Sequence, residues 1–373
     1  MTAAIEPPAT LGVLGGGQLG RYFVMAARTM GFRTMVLEPD PSGPAGAVAD
    51  VHLVAPYDDR SALDRLATEC AVVTTEFENP PADALARLAA HTTVRPTPRA
   101  IAIAQDRRRE KQFLADAGFP TAPFAIIERL ADLRAVAVTG PAILKTARLG
   151  YDGKGQVGVA DVAGREAAWE RLGRVPCVLE QRLGLDAEIS VVLARGVDGR
   201  VAPFAPTLNA HLDGILELSV APFDGTLGDD AIEMSAAIAA ALDYVGVLAV
   251  EFFVADGRLV VNELAPRPHN SGHWTLDGAR TSQFEQQVRA VCGLALGDPS
   301  LTTGGVAMVN LLGDRWTSGE PEWAEMLATP GAHLHLYGKR EPRRGRKMGH
   351  LTITAASGDA AVATAQRWRV QSS

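Results

Sequence analysis

The 373-residue sequence is poor in cysteine and has no uninterrupted apolar run of the ~20 residues that span a membrane. Its three cysteines, Cys70, Cys177 and Cys292, are far apart and form no CxxC pair, which excludes a disulfide framework and a cysteine zinc site. The first ten residues have neither the basic region nor the apolar core of a signal peptide. These absences predict a soluble, cytoplasmic protein with no membrane partner.

Positive charge is also scarce. The sequence has 36 lysines and arginines against 43 aspartates and glutamates, which gives a formal net charge of −7. The field of such a protein repels nucleic acid, so no nucleic-acid partner is expected. Any anionic ligand must therefore be held by a local cluster of basic residues.

The length suggests two or three domains at roughly 150 residues each. Short apolar runs alternate with helical periodicity up to a proline-rich stretch at 94–98, which predicts a doubly wound, Rossmann-like domain over residues 1–100. A charged helix over 101–117 leads into a second region, 101–182, in which short strands flank a glycine-rich loop. Further strands and a pronounced hairpin occupy 183–373. The predicted class is α/β in the first region and α+β in the rest.

A glycine motif follows the first predicted strand. Gly15, Gly17 and Gly20 satisfy G-x-G-x-x-G, and Glu38 ends the next strand, as in dinucleotide-binding folds. The physical content of the motif is a turn that brings backbone N–H groups close to an anion. A substrate phosphate fits this turn as well as a pyrophosphate does, so both interpretations stay open here.

A second glycine-rich segment, 150–156, follows Lys145, which ends a predicted strand. Three glycines and Lys154 within this segment indicate a flap whose amides and ammonium can close over polyphosphate. The segment is not a P-loop, because Lys154 is followed by glycine instead of serine or threonine. The alternative is a solvated turn.

Two strand-like runs meet at Asp256-Gly257, which is a strong hairpin signal. A three-residue loop places Glu251 opposite Glu263, whereas a two-residue loop places it opposite Asn262. We favour the three-residue loop, because facing carboxylates repel each other unless they share a cation. Mg²⁺ binds one or two carboxylates together with phosphate oxygens. The sequence therefore predicts a magnesium site at Glu251 and Glu263.

Residues 264–274 contain two prolines and are predicted to form an irregular loop beside this metal site. The planar donor fork of Arg267, together with His269 and Asn270, indicates binding of a small planar oxyanion. His269 and His273 lack the helix on which an H-x-x-x-H zinc pair is presented, so no zinc is expected.

Lysines and arginines crowd residues 339–347. In an acidic protein they favour a phosphate pocket that uses one or two of them, and the alternative is a solvated hairpin tip. A phosphate flap, a strand lysine, a two-carboxylate metal site, an oxyanion loop and a phosphate pocket together indicate ATP-dependent activation of a small acid and its transfer to a phosphorylated acceptor.

At these positions the sequence resembles the ATP-grasp ligases, and among them the 5-(carboxyamino)imidazole ribonucleotide synthases of purine biosynthesis. The resemblance runs from GGGQLGR at 15–21 to GRKMGH at 345–350, and its most specific stretches are NELAPR at 262–267 and HNSGHW at 269–274. It implies an ATP-grasp fold behind a pre-ATP-grasp domain, with 101–182 as the lid subdomain and 183–373 carrying the metal and oxyanion sites. The sequence departs from the family at Leu149, where a second glycine is frequent.

The resemblance implies a role for each matching residue. Those expected around ATP are Arg107, Lys145, Gly150, Tyr151, Asp152, Gly153, Lys154, Gly155, Gln156, Glu180, Gln181, Arg182, Leu183, Glu188, His211, Asn262 and Glu263. Those expected to hold Mg²⁺ or Mn²⁺ are Glu251 and Glu263. Those expected to bind bicarbonate and its carboxyphosphate, or to act in catalysis, are Arg267, His269, Asn270 and Asp152. Those expected to bind 5-aminoimidazole ribonucleotide are Gly17, Gln18, Leu19, Glu76, Tyr151, Asp152, Lys339 and Arg346.

The implied reaction is the ATP- and bicarbonate-dependent carboxylation of 5-aminoimidazole ribonucleotide, with release of ADP and phosphate. A homodimer is expected as the default symmetric state of such enzymes. Two alternatives remain. A formate-using ATP-grasp phosphoribosyl formyltransferase has the same three-domain plan, and an NAD-dependent dehydrogenase is suggested by the first glycine motif alone.

Overall fold

The structure is a computed structural model that describes residues 3–138, 140–150, 153–317 and 319–369. Tyr151 and Asp152, two of the predicted site residues, lie outside the described residues. The described chain forms one parallel sheet of five strands and two antiparallel sheets of four and nine strands. The predicted class, α/β followed by α+β, is confirmed.

The first sheet and its helices form a doubly wound layer. Its strands are β1 (Thr10–Leu14), β2 (Arg33–Leu37), β3 (Val51–Leu53), β4 (Val72–Thr75) and β5 (Thr93–Val94), and its helices are α1 (Gln18–Thr29), α2 (Arg60–Glu69) and α3 (Ala82–Ala89). The strand order is β3-β2-β1-β4-β5. Residues of β1, β2 and β4 alternate between two cores, one shared with Phe23 and Val24 of α1 and the other with Leu66 of α2 and Leu85 of α3.

Two short helices connect the first sheet to the second. They are α4 (Pro98–Ala104) and α5 (Arg107–Asp116). The single charged helix predicted over 101–117 is therefore wrong, because the chain breaks at Gln105-Asp106. Asp106 has extended backbone geometry, and its carboxylate accepts a hydrogen bond from the Arg108 N–H, so it caps the N-terminus of α5.

The second sheet contains β6 (Phe124–Ile127), β7 (Ala142–Thr146), β8 (Gln156–Val159) and β9 (Cys177–Gln181), in the order β6-β9-β7-β8. Helices α6 (Leu130–Ala135) and α7 (Arg165–Arg171) cover one face, where Leu144 and Leu179 are buried. Since side chains alternate along a strand, the neighbours Lys145 and Glu180 lie on the opposite face.

The third sheet has the order β15-β14-β10-β12-β13-β16-β18-β17, and β11 pairs with β10. Its strands are β10 (Ala187–Arg195), β11 (Val201–Pro203), β12 (Thr207–Leu212), β13 (Ile215–Ala221), β14 (Gly246–Ala255), β15 (Arg258–Ala265), β16 (Gly305–Leu312), β17 (Ala332–Leu336) and β18 (Lys347–Ala355). The associated α-helices are α8 (Gly228–Ala241), α9 (Thr275–Gly278), α10 (Gln283–Cys292), α11 (Trp323–Leu327) and α12 (Gly358–Ala365). Short 3₁₀ turns lie at Asn270–Gly272, Gly313–Trp316 and Gln366–Trp368.

The apolar stretch at 235–254 comprises the end of α8 followed by most of β14. Within the described ranges, no helix combines the length and the apolar character needed to cross a membrane.

Candidate functional site

The hairpin between β14 and β15 places two carboxylates face to face, although not through the turn predicted. Ala255 pairs with Arg258, so the loop has two residues, and Asp256 and Gly257 both have positive φ (50° and 67°), as in a type I′ turn. The three-residue loop is therefore wrong. A β-bulge restores the predicted pairing, because an extra residue in β15 brings Glu263 opposite Glu251.

The extra residue of the bulge is Asn262, and helix α5 binds the backbone around it. Lys111 Nζ donates to the Asn262 carbonyl oxygen at 2.8 Å, and the Leu264 N–H donates to Glu110 Oε1 at 2.6 Å. A bulge interrupts the regular ladder of hydrogen bonds, so its backbone groups need other partners. Two adjacent residues of α5 provide one donor and one acceptor.

The environments of the two facing carboxylates differ. Desolvation, reinforced by the charge of Glu263, raises the pKa of Glu251 to about 8. Desolvation also acts on Glu263, but Arg107 outweighs it and lowers the pKa of that carboxyl. Arg107 Nη1 donates to Glu263 Oε2 at 2.9 Å, and His269 Nε2 lies 3.1 Å from Glu251 Oε1.

These side chains fit a divalent cation that prefers oxygen ligands. Glu251 and Glu263 supply carboxylate oxygens across one ladder position. The buried Asn262 Oδ1 has no hydrogen-bond partner among the described residues. Two apposed carboxylates and an unpaired amide oxygen form the kind of donor set that Mg²⁺ takes.

Lys145 and Glu180 lie beside this carboxylate pair. Lys145 Nζ donates to Glu180 Oε2 at 3.1 Å, and both residues are less than a tenth exposed. Burial lowers the pKa of Lys145. The charge of Glu180 raises this pKa, whereas the charges of Lys111 and Arg107 lower it further. Glu180 Oε1 is buried and has no hydrogen-bond partner within the described part of the chain.

The described part of the flap closes on the end of β7. The Thr146 N–H donates to the Gly155 carbonyl oxygen at 2.8 Å, and a Cβ on Gly155 would lie 2.6 Å from Thr146 Oγ1. Gly153 has a φ of 75° and approaches the Asp213 carbonyl oxygen. Leu149, where the family often has glycine, has a positive φ of 64°. Glycine therefore suits the backbone here, while Leu149 adopts a conformation that disfavours side chains.

Glu188 and His211 continue the site across the third sheet. Ser190 pairs with Glu251, so Glu188, two residues away, lies on the same sheet face. His211 Nδ1 is 3.1 Å from Glu188 Oε2. Burial opposes protonation of His211, but Glu188 outweighs it and raises the pKa of that imidazole.

The loop after β15 is held by contacts from other parts of the chain. Arg267 forms an ion pair with Glu78 from the segment after β4, and burial lowers the pKa of Arg267 to about 10. Gln283 brackets the backbone of His269, accepting from its N–H and donating to its carbonyl oxygen, both at 2.8 Å. The side-chain amide of Asn270 forms a reciprocal pair with that of Asn310.

The first glycine loop is already bound by the protein's own carboxylates. Glu76 accepts from the N–H groups of Gly17 and Gly20 at 2.8 and 3.0 Å, and Glu38 accepts from the Gly16 N–H at 2.6 Å. These amides would cradle a pyrophosphate in a dinucleotide-binding fold. Their occupation by carboxylates argues against the dehydrogenase hypothesis.

Relatives of known name match almost the whole chain. An N5-carboxyaminoimidazole ribonucleotide synthase of Brucella melitensis is 45% identical over 94% of this chain and 97% of its own length. The chain belongs to the N5-carboxyaminoimidazole ribonucleotide synthase family. The enzyme of that name from Bacillus subtilis is 42% identical over 94% of this chain and 92% of its own.

Family models and solved structures agree with this assignment. Residues 8–105 match the ribonucleotide synthetase preATP-grasp domain, 112–284 the ATP-grasp domain and 306–364 the phosphoribosylaminoimidazole carboxylase C-terminal domain. An ADP complex of an N5-carboxyaminoimidazole ribonucleotide synthetase has a TM-score of 0.93 at 39% identity and covers 98% of both chains. The Aspergillus clavatus synthase, solved with ADP and 5-aminoimidazole ribonucleotide, has a TM-score of 0.87 at 29% identity and covers 96% of this chain and 97% of its own. The ATP-grasp ligase fold predicted from the sequence is confirmed.

In this member of the synthase family, the structure joins many of the predicted residues by direct contact. Arg107 contacts Glu263, Lys145 contacts Glu180 and His269 contacts Glu251, which faces Glu263. Glu188 pairs with His211 on the same sheet as Glu251. Gln181, Arg182 and Leu183 follow at the end of β9, where the Gln181 and Arg182 N–H groups bond to Pro123 and Pro141. Gly17, Gln18 and Leu19 begin α1 beside Glu76.

Lys339 and Arg346 lie on the loop between β17 and β18. Lys339 Nζ donates to the Lys347 carbonyl oxygen at 2.7 Å, and Arg346 Nη1 donates to that of Glu341 at 2.8 Å. Hydrogen bonds from Ser42 lower the pKa of Asp40, and the charge of Arg346 adds to the effect. The basic loop therefore lies close to the first domain, on the side of its glycine motif.

Sequence reasoning missed several residues that shape the site. Glu110 and Lys111 are fully buried on α5, and they share a helix face with Arg107 and Leu114. The spacing i, i+3, i+4, i+7 of these four residues could have indicated their burial, because it is the spacing of residues on the buried face of a helix. Glu78, Gln283 and Asn310 have no comparable local signal, because their partners are distant in sequence.

A second cluster of potential ligand atoms contains Asp277, His335 and His350, within 4.8 Å of one another. The rings of His335 and His350 stack at 4.5 Å with 14° between their planes, so their in-plane lone pairs do not converge on one ion. Asp277 Oδ2 lies 2.9 Å from His335 Nε2, and Tyr337 Oη lies 2.9 Å from His350 Nδ1. We interpret this cluster as a hydrogen-bonded aromatic contact between α9 and the last two strands.

Proposed function

We propose that this chain catalyses the ATP- and bicarbonate-dependent carboxylation of 5-aminoimidazole ribonucleotide to N5-carboxyaminoimidazole ribonucleotide. The observation that carries the proposal is the pairing of Glu251 with Glu263 beside Lys145, Arg107 and the His269 loop. A phosphate-binding cation cluster and an oxyanion loop thus share one site, as transfer of a phosphoryl group to a small acid requires.

Within this site, Glu251, Glu263 and Asn262 are the residues that would hold Mg²⁺, or Mn²⁺ in its place. When bound, the ion supplies positive charge that screens the ATP phosphates. Arg107, Lys145 and the flap residues Gly150, Gly153, Lys154, Gly155 and Gln156 would surround the phosphates. Glu180, Gln181, Arg182, Leu183, Glu188 and His211 would surround the adenosine.

In the first step, Arg267 and His269 orient bicarbonate so that one of its oxygens attacks the γ-phosphorus of ATP. The bond to the β–γ bridging oxygen breaks, ADP leaves, and carboxyphosphate forms. Burial and the nearby Arg267 lower the pKa of His269 far below its usual value, so a neutral imidazole hydrogen-bonds the oxyanion. Asn270, whose amide is paired with Asn310, positions this loop.

In the second step, the exocyclic amine of the aminoimidazole attacks the carboxyl carbon, directly or after release of CO₂ in the closed site, and inorganic phosphate leaves. Exclusion of water matters because hydrolysis would destroy the mixed anhydride. Gly17, Gln18, Leu19 and Glu76 would bind the ribonucleotide, with its phosphate at Lys339 and Arg346. Tyr151 and Asp152, outside the described residues, would contact its base.

The experiment that tests this function measures ADP release with and without bicarbonate and 5-aminoimidazole ribonucleotide. We expect full activity only with both. Activity with formate in place of bicarbonate would instead support the phosphoribosyl formyltransferase. Enhanced NADH fluorescence on addition of the protein would support the dehydrogenase.

We further propose three domains, 1–100, 101–182 and 183–373, a division that keeps each of the three sheets within one domain. We propose a homodimer, which sedimentation equilibrium would test. We also propose a cytoplasmic location, which follows from the ATP-dependent biosynthetic reaction and which fractionation of cells expressing the full chain would test.

A further inference from the structure

Two buried ammonium groups share one carboxylate oxygen in the nucleotide site. Lys145 Nζ lies 3.1 Å from Glu180 Oε2, and Lys111 Nζ lies 3.4 Å from the same atom. The Lys111 side chain is fully buried, while Glu180 is 2% exposed. The proposed function uses Lys145 on the ATP phosphates and gives Lys111 no role.

Lys111 is held in place from a second direction. Its ammonium also donates to the carbonyl oxygens of Asn262 at 2.8 Å and Val261 at 3.4 Å. These oxygens belong to the bulged segment of β15. An ammonium enclosed by two backbone carbonyls and a carboxylate, with no exposure to water, cannot move to a ligand without losing all three partners.

Lys145 is placed differently. It lies one residue before the end of β7, and three residues, 147–149, connect that strand to the flap. Among the described residues, its ammonium contacts only the Glu180 carboxylate. The Lys145 ammonium can therefore turn from Glu180 toward a polyphosphate under the flap without breaking any backbone contact.

The movement of the Lys145 ammonium from Glu180 to the phosphates depends on Lys111, because Glu180 needs a counter-ion. A buried carboxylate that loses its sole counter-ion is strongly destabilised, because neither water nor a second cation compensates it. If Lys145 were the only cation on Glu180, its movement to the phosphates would leave such a carboxylate. Burial alone would raise the pKa of Glu180, yet the charges of Lys145 and Lys111, followed by that of Arg107, lower it, which agrees with both ammoniums acting on this group.

We propose that Lys111 is the permanent counter-ion of Glu180 and thereby releases Lys145 to bind the ATP phosphates. Lys111 is a positioning residue in this proposal, since it acts through Glu180 and Lys145 and does not touch the nucleotide. The proposal rests on the proposed function only in assigning Lys145 to the phosphates.

The test compares Lys111→Met with the double variant K111M/E180Q and with Glu180→Gln alone. Methionine keeps the unbranched shape of lysine and removes its charge. We expect Lys111→Met to lower kcat/KM for ATP about 100-fold and to weaken ADP binding, with the KM for bicarbonate unchanged. Arg109→Met removes a positive charge from the exposed side of the same helix and serves as the matched control, with unchanged constants.

The double variant distinguishes a charge role from a packing role. If Lys111 serves to compensate Glu180, K111M/E180Q should resemble Glu180→Gln alone and bind ADP more tightly than Lys111→Met does. The proposal would be overturned if the fold-loss of kcat/KM for ATP in the double variant equalled the product of the fold-losses in the two single variants. So would a Lys111→Met protein with the ATP and ADP constants of Arg109→Met.

Folding is checked by circular dichroism and thermal melting. A Lys111→Met protein that unfolds while the double variant folds would support the proposal, since the isolated charge of Glu180 would then be the cause. Unfolding of both would overturn it. ADP binding is measured by calorimetry without the other substrates. If the proposed function is wrong, the parent protein should release ADP without needing bicarbonate or the aminoimidazole. The ADP-binding comparison does not depend on those substrates, so it would still test the role of Lys111.

Discussion

Arg107 donates to Glu263 at 2.9 Å, whereas Glu251, the carboxylate facing Glu263, contacts His269. Two acids at one ladder position thus have pKa values shifted in opposite directions. The Arg107 guanidinium lowers the pKa of Glu263, while burial, reinforced by the charge of Glu263, raises the pKa of Glu251. A divalent cation would allow both to ionise.

The first prediction concerns this pair. Glu263→Gln keeps the size of the side chain and the contact with Arg107, but it removes the carboxylate charge. We expect ADP formation to fall about 100-fold, because the metal loses a charged ligand. Steady-state assays over a range of magnesium concentrations measure the effect, and Glu69→Gln on the exposed surface is the control. Parent-like ADP formation by Glu263→Gln would show that the metal assignment is wrong.

The second prediction concerns the oxyanion loop. Arg267→Ala removes the guanidinium that we place on bicarbonate, and Glu78→Gln weakens the ion pair that orients it. We expect Arg267→Ala to abolish the bicarbonate-dependent part of ADP release and Glu78→Gln to raise the KM for bicarbonate about tenfold. The KM for ATP should stay the same in Glu78→Gln. If ADP release by both variants depends on bicarbonate as it does in the parent, Arg267 does not bind bicarbonate.

The third prediction is a pH dependence of stability. Burial raises the pKa of Glu110 to about 8, against the opposing charge of Arg107. A carboxyl with a raised pKa binds a proton in the folded state that the unfolded state has released. Its contribution to stability is therefore complete below the unfolded pKa and is lost as the pH rises toward 8.

Glu110→Gln removes this titration and keeps an oxygen acceptor for the Leu264 N–H. Between pH 5.5 and 7.5, the variant should gain stability relative to the parent by roughly 1.4 kcal/mol for each pH unit. Urea unfolding at several pH values measures the difference. A difference between the two proteins that does not vary with pH would contradict the raised pKa.

The fourth prediction concerns the thiols. Burial raises the pKa values of Cys70 and Cys292 to about 12 and that of Cys177 to about 11. Since the thiolate is the reactive form, none of the three should react with Ellman's reagent at pH 8 in the folded protein. All three should react after denaturation in guanidinium chloride. Rapid labelling of the folded protein would show that a thiol is accessible.

The hairpin shows where local sequence signals suffice and where they do not. Asp256-Gly257 correctly located the turn, and the chemistry of two facing glutamates correctly indicated their pairing. The loop length was wrong, because a bulge at Asn262 compensates for a shorter turn. Lys111 and Glu110, about 150 residues earlier in the chain, bind the backbone of the bulge. The local sequence of β15 gives no indication of these contacts, so it could not predict the bulge.

The same reason explains the error in α4 and α5. Periodicity alone continues across Gln105-Asp106, since both flanking segments have helical spacing. The break is favoured because Asp106 caps α5 and the Arg107 N–H donates to the Ala147 carbonyl oxygen on the second sheet. A tertiary contact thus overrides propensity there.

The first glycine loop has its amide groups satisfied by Glu38 and Glu76 before any ligand arrives. These hydrogen bonds hold the loop in one shape without a ligand, so we expect docking of a ribonucleotide against it to cost little conformational entropy.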